Sequence, residues 1–355
     1  MEFCLDLSHH PWARSADPQR AARETIRIIE VADQAGLHSA WLSEDPDGWD
    51  AFAVLGAAAN RTERIRLGTG VTNPYLRHPV LLAMSAVTLD RLSGGRAFLG
   101  LGRGQPEWYR VSLGIETGQP LRALRETIAL LRQWWQPPYR ASSSGQFRVQ
   151  DWRLAFGPVQ PSIPIYLAAL GPRALALATS QADGVLVADF ASEPFLRRLV
   201  PELRRKVEMA GRDPDEFSIF VRTAITVTDD PEPILERRKS LMALLCTLPG
   251  MARQLEVPGF DVPALIARLR EVMRTEEVLA RGGGLSAARE LGDLATARRL
   301  IPTELVAAVS YVGSAEEIRA RLRRLAEIGV THVFVAPPGD LDPHAYADLV
   351  ARIRP

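Results

Sequence analysis

Residues 65–104, with the sequence IRLGTGVTNPYLRHPVLLAMSAVTLDRLSGGRAFLGLGRG, decide the fold. A short apolar run at 65–69 is followed by an amphipathic stretch at 80–92 and then by a second apolar run at 97–101. The short runs favour buried strands and the longer stretch favours a helix. Two strands joined by a helix are typical of a parallel sheet, because the helix returns the chain to the starting edge.

The same alternation of strand and helix extends from this stretch in both directions. The predicted strands are residues 3–7, 39–43, 65–69, 97–101, 164–168, 184–187, 217–227 and 331–336. The predicted helices between them include residues 20–35, 51–60, 80–92, 121–135 and 173–181. Eight strands with intervening helices favour an α/β fold of the TIM type, a closed (β/α)8 barrel, over an open doubly wound sheet.

Two segments interrupt this alternation. Residues 139–161 contain serine, glycine and alternating apolar residues, a pattern that resembles a hairpin. Residues 251–303 read as helical and arginine-rich, with a break at the three glycines 282–284. We interpret both segments as insertions on a single barrel domain of 355 residues. The second insertion either covers the mouth of the barrel or is a solvated helical excursion.

The composition excludes several classes of protein. A hydrophobic content of 46% with 24% charged residues is typical of a folded chain with a large core. The net charge of +1 gives no electrostatic reason to expect nucleic acid as a partner. Cys4 and Cys246 lack metal-ligand spacing and suggest neither a zinc site nor a disulfide framework. No signal-like or membrane-spanning apolar run is present, so we expect a cytoplasmic location and no membrane partner.

Reactive groups of a TIM barrel lie where strands end, so those positions supply the catalytic candidates. Asp6 ends an apolar strand, where burial would raise the pKa of its carboxyl and suit it to proton exchange; alternatively, it only accepts hydrogen bonds in the barrel. Glu44 and Asp45 follow the second strand. His9 and His10 are adjacent and would point in opposite directions in an extended chain, so no metal site is predicted.

Two glycine-containing loops are candidates for cofactor binding. Gly102, Arg103 and Gly104 follow the fourth strand, but the dinucleotide fingerprint is incomplete, because its sixth-position glycine is absent. Gly171 precedes Pro172 and Arg173 at a helix start, where exposed amides would suit a phosphate. A plain helix cap explains the second loop equally well.

Several motifs carry a resemblance to a known family. They are LGTGVTNPYLRHP at 67–79, TLDRLSGGR at 88–96, LGLGRG at 99–104, IPIYLAALGP at 163–172, ADGVL at 182–186, VGSAEE at 312–317 and GVT at 329–331. In these motifs the chain resembles the bacterial-luciferase-like superfamily. Within it, the chain most resembles the methylenetetrahydromethanopterin reductase branch, whose members use the deazaflavin coenzyme F420.

The resemblance implies positions for the cofactor. It places a non-proline cis peptide at Gly70–Val71, pressing on one face of the tricyclic ring. Further contacts to the ring and tail fall on Thr72, Asn73, Gly102, Arg103 and Gly104, and a phosphate falls near Ala169, Leu170 and Gly171. Asp6 matches a glutamate position of the reductase branch. From their charge and position, Arg103 and Arg173 would face the anionic tail of a deazaflavin or, alternatively, form ordinary surface ion pairs.

One departure from the family pattern concerns catalysis. The deazaflavin enzymes commonly carry Asp-His after the second strand, whereas this chain has Glu44 followed by Asp45. The acid–base candidates are therefore Asp6, Glu44 and Asp45.

The resemblance also implies an activity and an assembly. The expected function is hydride transfer between coenzyme F420 and a small organic substrate. The alternatives are an FMN-dependent monooxygenase and a non-catalytic flavin-binding protein. A homodimer is expected from the resemblance and from the apolar helix faces at 51–59 and 80–89.

Overall fold

The computed structural model describes residues 1–7, 17–44, 48–246, 248, 250–282, 284–339 and 341–355. Within these ranges, the strands in chain order are β1 (Glu2–Asp6), β2 (Ser39–Leu42), β3 (Arg66–Thr69), β4 (Ala97–Leu101), β5 (Arg140–Ser144), β6 (Arg148–Arg153), β7 (Ile165–Ala168), β8 (Gly184–Val187), β9 (Ser218–Val227), β10 (Val312–Gly313) and β11 (His332–Val335).

The helices follow the same order along the chain. They are α1 (Pro18–Gln34), α2 (Ala51–Ala59), α3 (Pro79–Leu92), α4 (Pro106–Leu113), α5 (Pro120–Trp134), α6 (Pro172–Gln181), α7 (Glu193–Met209), α8 (Glu232–Leu245), α9 (Met251–Gln254), α10 (Val262–Val272), α11 (Thr275–Arg281), α12 (Gly284–Leu291), α13 (Leu294–Leu300), α14 (Thr303–Ala308), α15 (Ala315–Ile328) and α16 (Pro343–Ile353). None of the helices within the described ranges has the length and apolar character needed to cross a membrane.

The barrel is closed and parallel, as predicted. Its strands run in the order β1, β2, β3, β4, β7, β8, β9 and β11, and β11 pairs with β1 to complete the ring. Each of these strands overlaps one of the predicted strands. The two-residue strand β10, which the sequence pattern did not predict, extends the end of β9. Because all barrel strands are parallel, their carboxyl ends meet at one mouth.

Aromatic side chains fill the barrel interior. The Trp41 ring is fully buried and lies 4.5 Å from the ring of Phe98 and 4.8 Å from that of Phe220, measured between centroids. A Cβ atom on Gly68 would lie 2.5 Å from the Phe98 ring, so only glycine leaves room for that ring. The barrel is therefore a packed core below its mouth and not a channel.

The segment 251–303 covers the mouth of the barrel. Its helices pack with α8 and α14 around a second apolar core that includes Met242, Leu269 and Leu305. Leu285 of α12 lines the same cavity as residues that follow β2 and β3. Of the two alternatives for this segment, the structure therefore has the one in which it covers the mouth of the barrel. We call the region from α8 to α14, with its connecting loops, the cap.

The predicted hairpin at 139–161 is also observed. Strands β5 and β6 pair antiparallel, with a shift of register between Ala141 and Ser143. The hairpin packs on α5, where the indole nitrogen of Trp134 donates a hydrogen bond to the Trp152 carbonyl at 2.9 Å.

Candidate cofactor and substrate site

A cavity of about 380 Å³ lies at the carboxyl ends of the barrel strands, between the barrel and the cap. This volume is in the range of small-molecule sites. Its described lining comes from the ends of β2 and β3, from β9, from α4 and from the cap: Ser43, Glu44, Gly70, Val71, Thr72, Asn73, Gly104, Gln105, Trp108, Tyr109, Ser112, Leu113, Arg222, Leu245, Leu248, Gly284 and Leu285. Six predicted site residues are among them.

The peptide bond between Gly70 and Val71 is cis, as predicted. The Gly70 carbonyl accepts hydrogen bonds from the Ser43 hydroxyl at 3.0 Å and from Nη2 of Arg222 at 2.9 Å. A Cβ atom on Gly70 would lie 2.9 Å from the Cβ of Trp41, which is too close for any other residue without a shift. Backbone and side-chain contacts thus fix this peptide on the cavity wall.

The next two residues are held by hydrogen bonds to neighbouring elements. The Thr72 amide donates to the Gly100 carbonyl at 2.9 Å, which joins the loop to β4. The Asn73 side chain donates to the Tyr109 hydroxyl at 3.2 Å, which joins the loop to α4. Gly104 has a φ of +59°, and a Cβ there would lie 2.7 Å from the Tyr109 ring. The loops after β3 and β4 therefore form one continuous cavity wall.

Gly102 and Arg103 do not line the cavity. A Cβ on Gly102 would lie 2.7 Å from Cγ2 of Val71, so Gly102 packs behind the cavity wall. Arg103 forms an ion pair with Glu107 at 2.9 Å, one turn along α4. This pairing reduces the charge that Arg103 could offer to an anionic tail.

Glu44 is largely buried and occupied by two partners. One carboxylate oxygen accepts a hydrogen bond from the Thr72 hydroxyl, and the other lies 2.6 Å from Nε of Arg77. Arg77 in turn pairs with Asp50 at 2.5 Å, and these two carboxylates hold the pKa of Arg77 above its ordinary value against the opposing effect of burial. This geometry favours an anchoring role for Glu44 over the predicted acid–base role.

Asp6 is buried, as predicted, but it is not an isolated carboxyl. Its Oδ2 lies 3.5 Å from Nε of Arg222, which projects from β9. Arg222 lines the cavity, whereas Asp6 lies behind it. Arg222 was not predicted as a site residue, because the β-branched run at 217–227 indicates only a strand. The available signal was a lone cation within that apolar run.

The helix start predicted after β7 is the start of α6, with Gly171 before Pro172. Gly171 caps α6 with no side-chain partner, and the space where its Cβ would lie is open. Arg173 is exposed and makes no hydrogen bond or ion pair with the residues that the structure describes. Ala169, Leu170, Gly171 and Arg173 do not line the main cavity. Leu170 instead lines a second cavity of about 340 Å³, together with Phe195 and Arg253.

Asp45, His9 and His10 lie outside the described residues. Within the described ranges, no three His, Cys, Asp or Glu side chains come together in a way that could hold a metal ion. The apolar wall of the cavity was not predicted from the sequence either. Trp108 and Leu113 of α4, with Leu245, Leu248 and Leu285 of the cap, come from segments that showed no family motif.

A closed parallel barrel with a ligand-sized cavity at the carboxyl ends of its strands is the arrangement in which TIM-barrel enzymes bind their substrates. Residues 1–332 match the family model described as luciferase-like monooxygenase, and the chain belongs to that family.

Several similar proteins are reductases or F420-dependent enzymes by name. The chain is 29% identical to a 5,10-methylenetetrahydromethanopterin reductase of Methanolobus tindarius, over 90% of this chain and 92% of the relative. It is 27% identical to an F420-dependent glucose-6-phosphate dehydrogenase of Kineococcus radiotolerans, over 78% of this chain and 82% of the relative. The structure of a coenzyme F420 dependent tetrahydromethanopterin reductase from Methanopyrus kandleri superposes with a TM-score of 0.73 at 25% identity, covering 99% of this chain and 98% of that one.

Proposed function

We propose that this protein is a coenzyme F420-dependent oxidoreductase that transfers a hydride between the deazaflavin and a small organic substrate. The observation that carries the proposal is the cavity wall formed by Gly70, Val71, Thr72 and Asn73 at the mouth of the barrel. The relatives whose names include F420 support the same function. An enzyme of this kind supplies binding and orientation, while the cofactor supplies the hydride chemistry.

The residues at the mouth fit such a cofactor. The wall at 70–73, with Gly104, would lie against the ring, and Gly102 and Arg103 behind it would support the wall and the tail. Arg222 lines the cavity beside this wall, where it is available to a molecule bound next to the ring. The open amides at the start of α6, near Ala169, Leu170 and Gly171, would hold a phosphate, with Arg173 beside them.

The predicted acids differ in the roles that we propose for them. Asp6 is close to the cavity through Arg222, and we propose that it sets the charge at the cavity base. Asp45 remains the second acid–base candidate after β2. Glu44 holds Thr72 in the cavity wall through its two partners.

The test is direct binding of the purified protein to the two cofactor classes. We expect saturable binding of deazaflavin, followed by its fluorescence, with FMN binding weakly. Tight FMN binding without deazaflavin binding would instead support the second candidate, an FMN-dependent monooxygenase, which the family description favours. Absence of binding to both would support a protein without this activity.

We also propose that the enzyme is a homodimer that acts in the cytoplasm. The outer face of α3 exposes Leu81, Met84 and Leu92, which are 38%, 50% and 47% accessible to solvent. Burying such side chains against a second copy would stabilise the pair by about 25 cal/mol per Å² of apolar surface. Light scattering at micromolar concentration measures the mass in solution, and a monomer there would contradict the dimer.

A further inference from the structure

The cavity has an apolar outer part and a polar base. Trp108 and Leu113 of α4 form one side of the outer part, and Leu245, Leu248 and Leu285 of the cap form the other. The polar base consists of the ends of β2 and β3 with Arg222. A molecule that fills this space therefore meets hydrocarbon over most of its surface and polar groups at one end.

Positive charge at the base does not exceed negative charge within the described residues. Glu44 is paired with Arg77, which also holds Asp50. Arg222 faces Asp6. These groups amount to three carboxylates against two guanidinium groups, so no surplus positive charge remains for a phosphate or a carboxylate. An anionic substrate would thus be placed beside carboxylates without a free cation, which is unfavourable at low dielectric constant.

Arg222 nevertheless retains hydrogen-bonding capacity at the base. Its side chain is 9% exposed, and Nη2 donates to the Gly70 carbonyl. Its Nε faces Asp6 at 3.5 Å and is buried from the cavity, whereas its Nη1 is in no hydrogen bond within the described part of the chain. A buried guanidinium has five N–H groups and is costly to leave unsatisfied, so a bound oxygen acceptor would complete it.

We propose that the substrate is a neutral, largely apolar carbonyl compound, or the matching alcohol, whose oxygen accepts a hydrogen bond from Arg222. This inference rests on the proposed function, because the hydride comes from the deazaflavin. The carbonyl carbon gains the hydride with its electron pair, and the carbon–oxygen π bond breaks toward the oxygen. That oxygen, held by Arg222, takes a proton from water, and the water regains one from the cofactor as it is oxidised. The net change is the transfer of one hydride and one proton, which reduces the carbonyl to an alcohol.

The test compares the wild-type enzyme with R222Q, R222K and the wall variant L285N. R125Q is the matched control, because Arg125 is exposed on α5. Each protein is first titrated with deazaflavin by fluorescence. Binding of trifluoroacetophenone to the loaded protein is then followed by fluorine NMR. Turnover is measured with acetophenone, cyclohexenone and, as the anionic probe, glucose-6-phosphate.

We expect R222Q to lower both kcat/KM for the ketones and affinity for trifluoroacetophenone by about 10- to 100-fold, as for the loss of a hydrogen bond to a charged group. Deazaflavin affinity should change by less than about 3-fold on the same scale. R222K should restore part of the loss, and R125Q should match the wild type. L285N does not disturb the buried pair of Arg222 and Asp6. It should weaken binding of trifluoroacetophenone and leave deazaflavin affinity intact.

Three outcomes would overturn the inference while the proposed function stands. They are preferential turnover of glucose-6-phosphate, absence of trifluoroacetophenone binding to the loaded wild type, and an equal loss of deazaflavin and probe affinity in R222Q. The last would assign Arg222 to the cofactor. Failure of the wild type to bind deazaflavin in the first titration would instead remove the proposed function itself.

Discussion

At the scale of single residues, the cavity wall depends on the missing side chain of Gly70. We predict that Gly70→Val abolishes deazaflavin binding while the barrel stays folded. The added carbons would start 2.9 Å from the Cβ of Trp41 and would displace the wall toward the cavity. Fluorescence titration measures the binding, and circular dichroism during heating measures the fold.

Gly56→Ala is the matched control for this substitution. Gly56 lies within α2, and an added Cβ would meet its nearest neighbour, Cδ1 of Leu92, at an ordinary 3.8 Å. We expect unchanged deazaflavin affinity in this variant. Normal deazaflavin affinity in Gly70→Val would show that residues 70–73 do not contact the ring.

The two arginines proposed for the cofactor tail should differ in their effect. Arg173 is exposed beside the open start of α6, and Arg173→Ala should weaken deazaflavin binding by about 1–3 kcal/mol, the scale of a charge-assisted hydrogen bond. Arg103 is already paired with Glu107, so Arg103→Ala should cost less than about 1 kcal/mol. Equilibrium titration of each variant gives both values. Equal effects, or none in Arg173→Ala, would count against the assignment of the tail to α6.

At the scale of elements, the contact between the cap and α4 should control access of the substrate. Gly282, between α11 and α12, has a φ of +77°, and a Cβ there would lie 2.1 Å from the Ser112 hydroxyl. Gly282→Val should move the cap away from α4, raise KM for the substrate several-fold and leave deazaflavin affinity unaltered. Steady-state kinetics and the fluorescence titration separate these two effects.

Gly259→Val is the control for the backbone strain in that variant. Gly259 lies in the same segment with a φ of +88°, but the space around its missing Cβ is open. Both variants place a β-branched residue at a positive φ, which is unfavourable. Only Gly282→Val should therefore change KM. A parallel change in both variants would assign the effect to strain and not to contact with α4.

The barrel strands were predictable from the sequence because each is buried on both sides and forms a short apolar run, as at 65–69 and 184–187. The position of the cap was not predictable, since a helix that packs on a second core has the same periodicity as a solvated one. Strand β10 was missed because two residues carry no periodic signal.

The candidate site was predictable only where local sequence determines local shape. The glycines at 70, 102 and 104 indicated close approach of the backbone, and the structure has neighbours within 3 Å of each missing Cβ. The contact of Arg222 with Gly70 joins positions 152 apart in sequence, and the pairing of Glu44 with Arg77 joins positions 33 apart. No periodicity within one segment encodes such pairs.

At the scale of the whole molecule, stability should fall in acid because of His332 at the amino-terminal end of β11. Burial of its ring, with His38 nearby, lowers its pKa from 6.5 to about 3. Below pH 6.5 the unfolded chain therefore binds a proton at His332 that the folded protein does not bind. Above pH 6.5 the contribution of neutral His332 to the free energy of unfolding is fully present. This contribution decreases as the pH falls toward about 3, by at most about 1.4 kcal/mol per pH unit.

Urea unfolding at a series of pH values measures this dependence. We expect the His332→Phe variant, which keeps a ring against Phe220, to lose less unfolding free energy than the wild type between pH 6.5 and 4. At pH 4 the two proteins should differ in this loss of unfolding free energy by roughly a few kcal/mol, which is the linkage slope integrated over that pH range. Identical pH profiles for the two proteins would assign the acid sensitivity to other groups.

The aromatic filling of the barrel has an optical consequence. Trp41 sits at the top of that packed core, with its Cβ beside Gly70 and its indole surrounded by Phe98, Phe220 and Phe334. Its emission should be blue-shifted, because no water reaches the ring. A chromophore bound against Gly70 would lie within energy-transfer range of this indole. Trp41 is therefore a fluorescence donor whose emission should be quenched when the mouth of the barrel is occupied.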